Sequence, residues 1–198
     1  STGEHLIVHG VPDPIVRQIQ SRMEERGLHP FVSTHSGEED RLYVGRELNS
    51  AMAWFFDERV RENDTRLRQV DDVTIAYDQV VTCISVMGAR DKLEDLLDVL
   101  CRSLGPKIRP HLFENMYAPG AYWLTIHAAQ ATKANGIRSM LEGLNLMHAK
   151  TVVFGDHHND LDMFKMADVS IAMENAVDEL KEIASHVIGS NEGESVVA

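Results

Sequence analysis

At 198 residues the chain holds one large or two small domains, and 43% hydrophobic with 25% charged residues is ordinary globular composition. The 31 acidic and 19 basic residues leave a formal charge of −12, which repels nucleic acid; Arg59, Arg61, Arg66 and Arg68 make no basic patch because acids are interspersed. No apolar span is long enough for a membrane helix and no signal peptide is seen, while Cys83 and Cys101 sit in apolar runs and read as buried free thiols, so a cytoplasmic protein is expected.

In chain order, residues 5–9 alternate and predict a strand, and 10–14 break it. Asp13 before Pro14 predicts an N-cap with proline in the first helical position. Ile15, Ile19 and Met23 then form a helical face that Gly27 ends. Residues 28–34 and 41–45 predict a hairpin around the polar turn 35–40. A helix follows over 48–61, a β-branched strand over 79–86, and a helix over 90–104 stopped by Gly105 and Pro106. Two strands, 107–113 and 122–127, complete the first half. This is the pattern of an α+β unit with helices on one face of an antiparallel sheet. Trp54, Phe55, Phe56 and Trp123 are assigned to its core.

The register changes after His127. A small-residue loop and helix over 128–144 lead into strand 151–154, helix 159–167, strand 169–173, helix 175–185 and short strand 186–188. Such βαβ alternation predicts a parallel sheet. The expected domains are therefore 1–10, a strand leading into the first unit; 11–127, the α+β unit; and 128–198, a Rossmann-like part. Residues 190–198 read as a polar loop into a further element.

The chemistry is concentrated in 151–164. Residues 151–154 are a short apolar run suited to a buried parallel strand, and Gly155 permits a sharp turn. Asp156 then lies at the strand's carboxyl end, where open α/β sheets put their ligands. Asn159 and Asp160 open a helix whose free N–H groups and partial positive charge suit an anion. A carboxylate beside a phosphate implies a hard cation, Mg²⁺ above all. His157 and His158 are adjacent, and neighbours in sequence rarely aim at one metal.

Gly155-Asp-x-x-Asn-Asp160 on a strand–helix junction resembles the fourth motif of the haloacid dehalogenase superfamily of phosphohydrolases. The order of elements is similar to its Cof-type branch over the whole chain. Residues 131–140 look like that branch's lysine motif, and 171–181 look like the segment after the acidic motif. The resemblance implies a partial Rossmann-like core with an inserted α+β cap, and Mg²⁺-dependent hydrolysis of a small phosphorylated metabolite such as a sugar phosphate. By that carry-over Lys133 neutralises charge on nucleophile and phosphoryl group. Asp156 binds Mg²⁺ directly or through water. Asp160 is a metal ligand or a carboxylate behind the metal that orients Lys133. Asn159 hydrogen-bonds near the phosphoryl group, and Asn175 closes the rim, although an N-cap role explains it equally well.

One departure matters. The family's nucleophile motif is a strand followed by Asp-x-Asp-Gly-Thr, and it is not found. The sole Asp-x-Asp is Asp160-Leu-Asp162, inside a predicted helix and followed by Met163. The expectation is that the chain alone is inactive, that it is the C-terminal part of a larger protein, and that strand 151–154 exposes an edge which a second copy or another chain covers. The alternative is a non-catalytic relative that acts by binding or assembly.

Overall fold

The β-branched runs of the first half pair into a single sheet, and those of the second half into another. The computed structural model describes residues 5, 7–115 and 119–190. Its chain divides into units Ser1–Ala129 and Gln130–Ala198.

The first unit contains α1 (Asp13–Glu24), β1 (Pro30–His35), β2 (Asp40–Val44), α2 (Ser50–Arg61), β3 (Leu67–Gln69), β4 (Val80–Gly88), α3 (Arg90–Leu104), β5 (Ile108–Glu114) and β6 (Tyr122–Ala128). The strands form one sheet in the order β3-β2-β1-β4-β6-β5. All pairs are antiparallel except β2 with β3, a short parallel pair the sequence pattern did not show. A 3-10 turn over Val73–Asp78, equally unforeseen, buries Tyr77, whose hydroxyl donates to Gln20 on α1.

Side chains alternate across a strand, so Phe31 and Val32 face opposite sides. Phe31, Leu42, Val44 and Met87 pack with Met52 and Phe55 of α2. Phe55 stacks edge-on between Phe31 and Trp123, with ring centroids 5.0 and 4.7 Å away. On the other face Val32, Ile84, Leu124 and Ile126 are fully buried, and α3 lies against β4, β5 and β6 with α1 beside it. The expectation of helices on one face is thus corrected. Apolar residues of adjacent strands alternate, so both faces demand cover.

Three smaller corrections concern chain ends and caps. Residues 5 and 7–10 lie in no strand. β4 is paired with β1 over Val80–Val86 but with β6 only from Ile84 onward, and among the described residues the chain meets the open stretch at a single backbone bond, the Val11 N–H 2.7 Å from the Val81 carbonyl. Asp13 is the first helical residue, not the cap, and its carboxylate pairs with Arg17 at 3.0 Å. Cys101 is exposed on α3, whereas Cys83 is partly buried in the sheet. Residues 191–198 lie outside the described residues.

The second unit contains α4 (Lys133–Gly143), β7 (Val152–Gly155), α5 (Leu161–Met166), β8 (Val169–Met173), α6 (Asp178–Ile183) and β9 (His186–Ile188). Its strands are parallel in the order β7-β8-β9. Val153, Phe164, Ala172, Met173 and Leu180 form the centre of its core. Asp168 closes the start of the β7–β8 pair by accepting from the Thr151 N–H at 2.7 Å. Among the described residues β7 pairs only with β8, and Val152 and Phe154 are 53% and 40% exposed. The anticipated open edge is present.

Candidate functional site

Thr132 starts α4. Its hydroxyl oxygen accepts from the Asn135 N–H at 3.1 Å, and Ala134 is buried in the core. Lys133, between them, becomes the first helical residue. Its Nζ donates to Asp160 Oδ1 at 2.5 Å. The two ends of this pair differ: the Lys133 side chain is 52% exposed and that of Asp160 is 1% exposed. A buried carboxylate therefore holds an ammonium that remains open to solvent on its other side.

Asp160 is also committed elsewhere. Its Oδ2 accepts from the backbone N–H groups of Asp156 at 3.0 Å and His157 at 3.2 Å. The turn after β7 thus wraps around one carboxylate, which satisfies N–H groups that would otherwise be orphaned. Gly155 makes this approach feasible. A Cβ there would lie 2.8 Å from Cβ, Cγ and Oδ2 of Asp160.

Asp156 is half-buried at the carboxyl end of β7, and its carbonyl accepts from the Val177 N–H at 3.0 Å. That bond joins the turn after β7 to the turn after β8. The strands are parallel, with Gly155 opposite Ala172, so Asp156 and Asn175 leave the same end of the sheet. Asn175 is exposed in the turn and is not a helix cap, because α6 begins at Asp178 behind Val177. Asn159 is exposed within a 3-10 turn, His158–Asp160, that precedes α5. The expected helix start at Asn159 is therefore corrected. Only six residues of α-helix follow, giving a short dipole, and the strong positive charge near the turn is that of Lys133.

The structure thus brings Lys133, Asp160 and the backbone of Asp156 into one hydrogen-bonded group, with Asn159 and Asn175 on flanking turns. Sequence reasoning missed two supports. His158 Nδ1 lies 2.8 Å from Glu179 Oε2, tying the turn to α6, and the adjacent histidine rings meet edge to face rather than converging on one point. The Thr132-x-x-Asn135 spacing was a readable cap signal. The His158–Glu179 pair had none, since it is formed across the fold.

The sequence profile of the haloacid dehalogenase-like hydrolases matches residues 1–198. A phosphoglycolate phosphatase of Archaeoglobus fulgidus is 41% identical over 69 residues, covering 35% of this chain and 31% of that protein. A 5-amino-6-(5-phospho-D-ribitylamino)uracil phosphatase of Escherichia coli is 30% identical over 117 residues, covering 54% and 43%. A solved haloacid dehalogenase-like hydrolase from Bacteroides thetaiotaomicron superposes with a TM-score of 0.71 at 23% identity, over 95% of this chain and 65% of that one. The chain thus spans less than half the length of these two curated relatives and just under two thirds of that solved chain. Profile and fold agree with the Gly-Asp-x-x-Asn-Asp and lysine motifs, and the chain belongs to the haloacid dehalogenase-like hydrolases, in their Cof-type branch.

Proposed function

We propose that the second unit carries the lysine and acidic parts of a Mg²⁺-dependent phosphatase site for a small phosphorylated metabolite, a sugar phosphate or similar compound. The observation that carries this reading is the half-exposed Lys133 ammonium held 2.5 Å from the buried Asp160 at the carboxyl end of a parallel strand. Both curated relatives named above are phosphatases of small phosphorylated compounds, which supports the substrate class. Residues 11–127 serve as the cap, and 128–198 as part of the core.

Mg²⁺ takes one or two carboxylates together with waters and phosphate oxygens, and hard oxygen donors are what this turn offers. Asp156 is the carboxylate that holds it. When bound, the ion withdraws charge from the phosphoryl oxygens. Lys133 neutralises the phosphoryl group from the other side, as a preorganised charge that needs no reorientation during reaction. Asp160 is a positioning residue: Lys133 and two N–H groups occupy its oxygens, leaving little capacity for a metal. Asn159 and Asn175 line the rim. The same engagement disqualifies Asp160 as nucleophile, and no other Asp-x-Asp occurs in the chain, so this chain by itself does not turn over.

The test is hydrolysis of an aryl phosphate and binding of inorganic phosphate, each with and without Mg²⁺, in the chain and in Asp156→Ala and Lys133→Met. Mg²⁺-dependent phosphate binding, weakened about tenfold or more by either substitution, is expected, with hydrolysis at background. Turnover abolished by Asp156→Ala would refute the inactivity. Neither binding nor turnover would sink the phosphatase reading in favour of a binding or assembly role.

A further inference from the structure

The first unit contains a second polar cluster, remote in sequence from the motifs above. His35 ends β1 and Asp40 begins β2, and the two are directly opposite in the hairpin register. The intervening turn is closed by the Ser36 N–H donating to the Glu39 carbonyl at 3.0 Å. His5, 30 residues before His35, comes to the same place. His35 Nδ1 is 3.0 Å from Asp40 Oδ1, and His5 Nε2 is 3.2 Å from Asp40 Oδ2. The two imidazoles meet edge to face with centroids 4.6 Å apart. Among the described residues this is the one group of three His, Cys, Asp or Glu side chains whose ligand atoms all lie within 4.8 Å of one another.

We propose that His5, His35 and Asp40 form a binding site for a divalent transition metal ion such as Zn²⁺, Co²⁺ or Ni²⁺. Geometry supports this first. Ligands at about 2.0–2.2 Å from a tetrahedral ion stand about 3.3–3.5 Å from one another. Each imidazole nitrogen already lies about that far from one Asp40 oxygen, His35 from Oδ1 and His5 from Oδ2, and with one atom per residue all three separations are within 4.8 Å, so none must close by more than about 1.5 Å.

Donor chemistry supports it second. Two imidazole nitrogens with one carboxylate suit borderline ions, whereas Mg²⁺ and Ca²⁺ prefer all-oxygen sites. In the metal-free arrangement a proton bridges each nitrogen and a carboxylate oxygen. A cation at the centre of the three groups replaces those protons.

Burial supports it third. The His35 side chain is 9% exposed and is fixed by the hairpin, while those of Asp40 and His5 are 42% and 46% exposed. Two ligands are therefore preorganised, and one side stays open for the ion and for water as a fourth ligand. Burial alone would raise the Asp40 carboxyl, but the hydrogen bond from His35 and the charge and hydrogen bond of His5 hold it below the usual range. A bound ion would clamp the segment before α1 onto the β1–β2 hairpin.

The test is titration of the metal-free chain with Co²⁺, read by visible absorption, and with Zn²⁺, read by thermal melting. The proposal expects one equivalent of Co²⁺ with a tetrahedral or five-coordinate spectrum, and a higher Tm with Zn²⁺. His5→Ala removes an exposed ligand without disturbing the core, and Asp40→Asn keeps hydrogen-bonding capacity while removing the charge. Each should weaken binding by about tenfold or more. Absence of stoichiometric binding overturns the proposal. So does wild-type affinity in either His5→Ala or Asp40→Asn.

Discussion

The two units treat their apolar runs differently. In the first, β1, β4 and β6 are paired on both edges and covered on both faces, and Val32, Ile84, Leu124 and Ile126 are wholly buried. In the second, three short parallel strands leave Val152 and Phe154 of β7 and Val187 of β9 substantially exposed. The first unit therefore buries the centre of its sheet among its own described elements, with exposed apolar residues such as Val60, Val80 and Phe113 at its margins. The second carries more pattern than its described elements use, at the sheet where β7 leads into Asp156 and the turn that holds Asp160 against Lys133 of α4. A parallel sheet ordinarily has both faces and most edges covered, so an apolar open edge is a pairing surface.

The largest effects should come from the two cores. Leu96 on α3 and Leu180 on α6 are both fully buried. Truncation to alanine should cost about 2–5 kcal/mol at either site. Trp54 and Trp123 both lie in the first unit, so their fluorescence during urea unfolding should register Leu96→Ala, while hydrogen exchange in β8 should register Leu180→Ala. If Leu180→Ala left β8 protection unchanged, the core of the second unit would be misassigned.

A smaller effect should separate the units by pH. Asp64 in the first unit has its carboxyl lowered to about 2, chiefly by the side-chain hydrogen bond from Arg66, at 2.7 Å in the paired arrangement. A depressed carboxylate stabilises the fold above its unfolded pKa, and that contribution is lost as pH falls from about 4 through about 2. Arg66 is half-exposed, so the contribution is about 1 kcal/mol. Asp64→Asn should flatten that acid limb in the first unit, measured by tryptophan fluorescence against urea at stepped pH. An unchanged limb would show that the ion pair does not form in solution.

The smallest change in stability should come from the open edge. Phe154→Lys places a charge on β7 at a 40% exposed site and should change stability by about 0.5 kcal/mol or less. It should nonetheless reduce self-association seen by sedimentation at high concentration, because a lysine blocks edge pairing. Equal association in the variant would mean that β7 is not the contact.

Much of the fold was readable where periodicity was strong. The helix over 90–104 and the strands 169–173 and 186–188 coincide with α3, β8 and β9. Readability failed where the outcome depended on partners. Residues 5 and 7–9 alternate yet lie in no strand, because alternation alone does not supply a pairing partner, and β3 is too short to carry a period. Asn175 had the composition of a cap, but α6 starts three residues later. Cys101 sat among leucines yet faces solvent, since its position on α3 is one residue beyond the buried stripe ending Leu96, Leu100 and Leu104.

By itself the amino-acid order determined the alternation of elements, the family motifs and the placement of Asp156 and Asn159 after a parallel strand. Those are local properties of spacing, turn chemistry and side-chain period. The family resemblance already implied that Asp160 orients Lys133, but tertiary structure alone decided that its other oxygen takes the Asp156 and His157 N–H groups, and that His5 meets His35 and Asp40. His5 and His35 stand 30 positions apart. A side chain's partner at that distance is set by which elements pack together, and no local pattern records it.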